Sequence, residues 1–199
     1  MESFGKLMFT GKVLEEQDRE GSRETYAKAY AQPRFPEIRE RERDFIESRS
    51  SCYIATVSET GWPYVQHRGG PTGFLKVLGP DRLAFADYPG NRQYISTGNL
   101  LSDARVSMFL MDYPRQARLK LLGTVEISED PQIASQFAAP DGIAPKRSYI
   151  IQVAAMDWNC PKYIEPRFTE AELQAMIGPK MRAMAEKIEK LEAQLAKFS

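Results

Sequence analysis

Apolar and polar residues alternate through the middle of the chain, whereas both ends follow a helical spacing. The middle segments are rich in β-branched and aromatic residues, which is typical of strands: 52–58, 62–67, 73–79, 82–88, 105–111, 117–128 and 148–158. Turn residues separate several of them, as at Glu59-Thr60-Gly61 and Gly79-Pro80-Asp81. Several short antiparallel strands at this spacing predict a closed barrel.

Helices are predicted on both sides of this β-rich region and within it. Residues 13–30, Pro36 to Arg49, Asn91 to Leu101 and Pro131 to Ala139 are the candidate segments. The fold class is therefore mainly β with flanking helices (α+β). We expect an N-terminal helical extension over 1–50, a β domain over 51–165 and a C-terminal helix over 166–199.

The C-terminal helix begins with a capping-box pattern, Thr169 followed by Glu172. Apolar residues then recur at alternating intervals of four and three, which is a heptad spacing: Ile177, Met181, Met184, Ile188, Leu191, Leu195 and Phe198. This pattern fits a helix packed on its own barrel and a two-chain coiled coil equally well, and both interpretations stay open.

Composition narrows the function classes. The 199 residues carry 27 basic and 27 acidic side chains, which argues against a nucleic-acid or membrane-surface partner. No apolar run reaches the roughly 20 residues that span a bilayer, and no secretory signal is visible. Cys52 and Cys160 have no metal spacing and indicate reduced thiols in a cytoplasmic protein. His67 is the single histidine, so no metal site is expected.

Three cationic clusters stand at predicted strand ends: His67 with Arg68, Arg92, and Arg118 with Lys120. The glycines after the first cluster, Gly69 and Gly70, let a backbone approach a ligand closely. Ordinary solvated arginines are the alternative interpretation.

The stretch PGNRQYIS gives the stronger signal. A tight turn leads into a predicted helix start with Asn91 placed to cap it, and a helix N-terminus attracts phosphate. Arg92 adds a bidentate donor. No Walker loop, dinucleotide fingerprint or nucleophile elbow appears in the sequence. The pattern thus indicates a small phosphorylated planar ligand.

Four stretches carry a resemblance to a known family: HRGGPTGFLKVL, FADYPGNRQYISTGNL, RLKLLGTVEI and DWNCPKYI. They resemble the FMN-binding split barrel of the pyridoxamine 5′-phosphate oxidase family, in its predicted flavin-nucleotide-binding branch, over roughly residues 45–165. The resemblance implies a six-stranded antiparallel split barrel and a homodimer. It also implies one FMN in each of two clefts between the subunits.

The resemblance assigns phosphate binding first to Arg92, which matches the arginine of the family's Ser-Arg-Lys turn. Asn91 stands in place of that serine and Gln93 in place of that lysine. Because the lysine is missing, other cations must contribute, and His67, Arg68 and Arg118 are the candidates.

Further positions follow from the same match. Ala86 and Asp87 fall at backbone contacts near the flavin, and Lys76 falls at the basic end of the preceding strand. Arg118 falls near a glutamine that contacts the flavin in the oxidase. Trp158 either stacks on the flavin or packs in the core.

The family's C-terminal substrate block, which carries an Arg-x-His motif, is absent, and DWNCPKYI stands there instead. The resemblance therefore implies an FMN-dependent oxidoreductase acting on an unidentified small molecule, with no catalytic residue assigned, because the flavin itself carries the electrons. The alternatives are a non-catalytic flavin-binding protein, or a relative that binds haem or a deazaflavin.

Overall fold

The computed structural model describes residues 1–33, 35, 37–137, 142, 145–158 and 161–196. The chain divides into two compact units. The first comprises residues 1–112 and 117–161, and the second comprises residues 113–116 and 162–199. Predictions that concern Pro36, the end of the helix at Ala139, Cys160 or Phe198 lie outside the described residues.

The first unit is built on one antiparallel sheet. Its strands are β1 (Ser51–Val57), β2 (Pro63–Gly69), β3 (Leu75–Gly79), β4 (Arg82–Ala86), β5 (Arg105–Asp112), β6 (Ala117–Ser128) and β7 (Ser148–Trp158). Their order across the sheet is β2-β1-β5-β6-β7-β4-β3. The described sheet therefore has seven strands, where the resemblance implied six. No described ladder joins β2 to β3. The described sheet is therefore not closed, whereas the strand spacing predicts a closed barrel.

The main apolar core lies on one face of the sheet. Every second residue of β5 is buried, from Val106 through Met108 to Leu110, as strand alternation requires. The same core cluster contains Ile54 of β1, the second strand of the order, and Val77 of β3, the last one. The sheet therefore curls around its core and brings distant strands near each other.

A glycine permits the tight curl between β6 and β7. The register of these strands shifts between Leu122 and Gly123, which marks a β-bulge. A Cβ atom at Gly123 would lie 2.5 Å from the carbonyl oxygen of Gln152 and 2.8 Å from a methyl group of Ile151. Only glycine fits there without displacing β7.

Seven helices accompany the strands in the described residues: α1 (Phe4–Met8), α2 (Gly11–Arg19), α3 (Arg23–Ala29), α4 (Glu40–Glu47), α5 (Ile95–Ser102), α6 (Pro131–Ala134) and α7 (Glu170–Leu195). The predicted class, mainly β with flanking helices, is confirmed. Phe45 and Ile46 of α4 join the core. The helix predicted from Asn91 begins four residues later, at Ile95.

The second unit contains α7. Its predicted capping box is present, because the Thr169 hydroxyl accepts a hydrogen bond from the Glu172 amide while the Glu172 carboxylate accepts one from the Thr169 amide. The apolar seam residues of α7 are all exposed in the single chain. None of the described helices is long and apolar enough to cross a membrane.

Candidate functional site

A cavity of about 580 Å³ lies in the first unit, beside one end of the curled sheet. It is lined by residues 66–69 of β2, Phe74, residues 86–92 after β4, residues 94–97 at the start of α5, and residues 146–147 before β7. Its volume falls within the range of small-molecule and cofactor sites, about 300–1,000 Å³.

Two arginines share one carboxylate in this cavity. Arg68 Nη1 lies 3.0 Å from Asp87 Oδ1, and Arg147 Nε lies 2.8 Å from Asp87 Oδ2. The three side chains are only 18%, 16% and 13% exposed, in the order Arg68, Arg147 and Asp87. Because solvent screens such charges weakly, they are the strongest electrostatic feature of the cavity.

Backbone pairing explains why these groups meet. Strands β4 and β7 are paired through Ala86 and Ser148. Asp87, which follows Ala86, continues this ladder by one residue. The amide of Asp87 donates to the carbonyl oxygen of Arg147 at 2.9 Å. Arg68 reaches the same carboxylate from the far edge strand, β2, because the sheet curls.

Aromatic rings hold Arg68 in place. Its guanidinium carbon lies 5.4 Å from the centre of the Tyr149 ring and 5.9 Å from that of Phe85. Those two rings stack on each other at 4.8 Å. The Nε of Arg68 is buried and has no hydrogen-bond partner within the described chain. A buried unpaired donor is costly, and an anionic ligand would satisfy it.

The first turn of α5 forms another wall. The Ser96 hydroxyl donates to Gln66 Oε1 at 2.7 Å, which ties the helix to β2. Thr97 and Tyr149 hydroxyls lie 2.7 Å apart. The segment before the helix is strained, because Arg92 and Tyr94 both have positive φ values, of 58° and 56°. The amide groups at the helix start have no intrahelical partners and favour an anion.

The charges on the lining are unbalanced. Four cations, namely Arg68, Arg92, Lys146 and Arg147, face one carboxylate, Asp87. The cavity therefore attracts an anion, and the buried arginines supply the bidentate geometry that suits a phosphate group.

The cavity brings together seven of the residues that the sequence singled out: His67, Arg68, Gly69, Ala86, Asp87, Asn91 and Arg92. The stretch PGNRQYIS predicts that Asn91 caps α5, but in the structure it does not. Its Oδ1 accepts a hydrogen bond from the Gln93 amide at 3.2 Å, and Tyr94 occupies the N-cap position. Arg92 is exposed and lies at the rim.

Three predicted residues do not line the cavity. Gly70 packs behind the wall, where a Cβ atom would lie 2.7 Å from Phe74 Cβ. Lys76 lies on β3 opposite Ala84. Gln93 is exposed in the strained segment. Their roles in cofactor binding stay predictions.

Arg118, Lys120 and Trp158 lie elsewhere on the first unit. Lys120 Nζ is 3.4 Å from Asp157 Oδ2, and the Arg118 guanidinium lies over the Phe109 ring. The indole nitrogen of Trp158 donates to Glu42 Oε1 at 3.0 Å. In the single chain none of the three reaches the cavity.

Trp158 packs against α4. Its ring meets that of Phe45 edge-on, with the ring centres 4.6 Å apart. Its N–H group is already used by Glu42, which is 3% exposed. These contacts are those of a tryptophan in core packing, the second of the two interpretations that the sequence allowed.

Lys146 and Arg147 line the cavity but are not among the residues predicted from the sequence. They stand immediately before the last strand, in the motif KRSY. His67 and Arg68 are likewise neighbouring cations at a strand end. Neighbouring cations at a strand end were therefore a usable signal. That Arg147 lies beside Asp87 depends on the β4–β7 ladder, which the sequence did not reveal.

Cys52 lies opposite Arg68 in the β1–β2 ladder but takes no part in the site's chemistry. Burial raises the pKa of its thiol to about 12, although the Arg68 charge acts in the opposite direction. The thiol is therefore neutral near pH 7 and a poor nucleophile. Among the described residues, no group of three or more histidine, cysteine or acidic side chains is arranged to hold a metal.

The family model described as "Pyridoxamine 5′-phosphate oxidase" matches residues 38–159, which is more than half of the chain. The chain belongs to the pyridoxamine 5′-phosphate oxidase family. The matched range contains all seven strands and every residue that lines the cavity. The resemblance seen in the sequence is thereby confirmed. A comparison with curated protein sequences finds no match.

A comparison with solved structures finds similar chains at low sequence identity. HupZ of Group A Streptococcus is 16% identical with a TM-score of 0.50, and the match covers 66% of this chain and 99% of HupZ. An FMN-binding protein from Syntrophomonas wolfei is 13% identical with a TM-score of 0.47, covering 73% and 96% of the two chains. General Stress Protein 26 from Bacillus anthracis is 15% identical with a TM-score of 0.46, covering 63% and 92%. HupZ shares the fold with this oxidase-family chain.

Proposed function

We propose that the chain binds FMN in the cavity and uses it for oxidoreduction of a small molecule. One observation carries the proposal: two largely buried arginines, Arg68 and Arg147, converge on the cavity, and Arg68 retains a buried N–H without a partner among the described residues. Membership in the oxidase family supports a flavin as the phosphorylated ligand.

The residues present fit the phosphate end of FMN. Arg68 and Arg147 carry the buried positive charge, Lys146 and Arg92 extend it to the rim, and the start of α5 offers backbone amides. The phosphate is the part of FMN that these groups recognise. We therefore expect riboflavin, which lacks it, to bind much more weakly.

The flavin ring, when bound, supplies the electron transfer. The chain's own residues hold its phosphate, orient it against β2 and keep water from the buried side of the cavity. No residue need move a proton, which suits a site whose single histidine, His67, is exposed on β2.

A homodimer is part of the proposal. The outer face of β1 and β2 is apolar and exposed, with Tyr53, Val57 and Val65 on it and Trp62 at its end. Val65 is 62% exposed, although it lies in the middle of its strand. His67 lies on the same face and also lines the cavity, so a second copy seated there would border the flavin site.

Light scattering on the flavin-loaded protein tests this assembly. Val65→Glu places a charge in the proposed β1–β2 contact and is expected to weaken the dimer, so that a higher protein concentration is needed to reach the same dimer fraction. Val13→Glu, at an exposed position on α2, is the matched control. A wild-type monomer with stoichiometric flavin at micromolar concentration contradicts the dimer.

The cofactor is tested by absorption and by flavin fluorescence. Two flavin bands after reconstitution, with FMN bound more tightly than riboflavin, are expected. Equal affinity for the two ligands removes the phosphate assignment, and a Soret band in place of flavin bands favours the haem-binding alternative.

Turnover is tested separately. The absence of the Arg-x-His block leads us to expect little oxygen-dependent formation of pyridoxal phosphate from pyridoxamine phosphate. A rate near 1 per second, within the usual range for enzymes of roughly 1–1,000 per second, contradicts this expectation. Bleaching of the bound flavin by NAD(P)H supports a reductase, and failure of both assays supports a flavin-binding protein without turnover.

A further inference from the structure

The helix α7 presents an exposed apolar seam with heptad spacing. Numbering the heptad from Met181 as position a places the core positions as follows: a at Met181, Ile188 and Leu195, and d at Ile177, Met184 and Leu191. These six side chains are 45–67% exposed in the single chain. A regular apolar stripe of this length on an exposed helix is unfavourable unless another surface covers it.

The seam continues without interruption after Pro179. This proline lies inside α7, where it cannot donate a backbone hydrogen bond. It is well placed as a first-turn residue for the segment that follows, which runs to Leu195. No charged residue occupies an a or d position of that segment. The geometry of a coiled coil is therefore available over its whole length.

The flanking charges favour one occupant and one orientation. Lys187 is at a g position and Glu192 is at the following e position, five residues later. In a parallel two-stranded coiled coil, a g residue faces the e residue five positions on in the other helix. Lys187 then faces Glu192 of the partner subunit, and the twofold symmetry forms this ion pair twice.

The antiparallel arrangement with the longest overlap is less favourable. Pairing Met181 with Leu191 and Met184 with Ile188 across the axis brings Lys187 against its own copy, which is repulsive. We propose that α7 pairs with α7 of a second copy of this chain as a parallel two-stranded coiled coil. The inference is independent of FMN binding, since it uses no residue of the cavity.

Cysteine cross-linking of the full chain tests both partner and orientation. Leu195→Cys places equivalent thiols side by side only in the parallel pair. In the antiparallel pair they are separated by about 27 Å, given a rise of 1.5 Å per residue. Glu189→Cys, on the outer b position of the same helix, is the matched control. Disulfide yield is measured in a glutathione redox buffer.

A disulfide-linked dimer of Leu195→Cys, at a yield well above that of Glu189→Cys, is the expected result. Equal yields overturn the proposal, whether α7 packs on its own chain, pairs antiparallel or awaits a different protein.

Charge exchange tests the register. Lys187→Glu in the Leu195→Cys chain is expected to lower the effective thiol concentration about fivefold, since two attractive pairs become repulsive. Adding Glu192→Lys is expected to restore it. Residues five apart in one helix do not face each other, so rescue cannot come from within a chain. Failure of the double exchange to rescue overturns the parallel register.

Discussion

Replacing Arg147 with methionine is the sharpest test of how the cavity recognises its ligand. The change removes the charge and keeps most of the side-chain volume. Asp87 keeps Arg68 as its partner at 3.0 Å, so no carboxylate is left buried without a cation. The apoprotein is therefore expected to stay folded, and its unfolding midpoint checks this.

The expected loss follows from burial. The Arg147 side chain is 16% exposed, so its bond to a phosphate is a charge-assisted bond in a poorly solvated site. Such bonds contribute about 1.5–3 kcal/mol. A loss of about 2 kcal/mol weakens FMN binding about thirtyfold, whereas riboflavin binding is expected to change less than about twofold.

The measurement is a titration of flavin fluorescence with FMN and riboflavin in parallel. Arg92→Met tests the rim, where the side chain is exposed, and is expected to cost less than about fivefold because solvent screens it. Arg82→Met removes an exposed guanidinium outside the cavity and is the control. Phosphate binding by Arg147 is contradicted if Arg92→Met weakens FMN binding more than Arg147→Met does, or if Arg147→Met weakens the binding of both ligands equally.

Three further predictions concern the framework of the first unit. Gly123→Ala is expected to destabilise the fold by about 3 kcal/mol, because the new Cβ atom clashes with a carbonyl oxygen of β7. Denaturant unfolding measures this loss, and Gly98→Ala, where α5 leaves open space for a Cβ atom, is the control. Trp158→Phe is expected to cost about 2 kcal/mol of stability, because buried Glu42 loses the hydrogen bond from the indole. The affinity for FMN is expected to stay unchanged, and a large loss of that affinity supports the interpretation that Trp158 stacks on the flavin. Burial raises the pKa of Cys52 to about 12 in the folded state, so the folded protein holds this proton more tightly than the unfolded chain. Relative to Cys52→Ala, the unfolding free energy of the wild-type protein is expected to fall by about 1.4 kcal/mol per pH unit between about pH 9 and pH 12, and parallel pH profiles contradict this.

The strands were predictable because their residues alternate between the core and the outer face. Val106, Met108 and Leu110 of β5 show the pattern directly. The start of α5 was misplaced for a local reason. Asparagine is a residue type that commonly caps helices, but the side chain of Asn91 closes a turn by accepting a hydrogen bond from the Gln93 amide. The positive φ of Tyr94 then sets the helix start, and propensity does not predict that conformation for tyrosine.

The site was predictable only where its residues are close in sequence. His67 and Arg68 were found, but Arg147 was not, because its place depends on a ladder between β4 and β7 that closes over 60 residues of intervening chain. Similarly, Trp158 finds its partner Glu42 at a sequence separation of 116. The sequence pattern therefore favours Arg92 over the largely buried arginines, since only the folded chain shows which side chains lie at the rim and which lie inside.

Asp87 also affects the folding of the ligand-free protein. Without this carboxylate, Arg68 and Arg147 would repel each other across a poorly solvated space, and the two side chains would move apart. With it, the apoprotein carries an internal counter-ion that keeps both guanidinium groups in position. If the cavity binds FMN as proposed, the cofactor meets a surface whose cations are already in position, and folding of the chain does not depend on the cofactor.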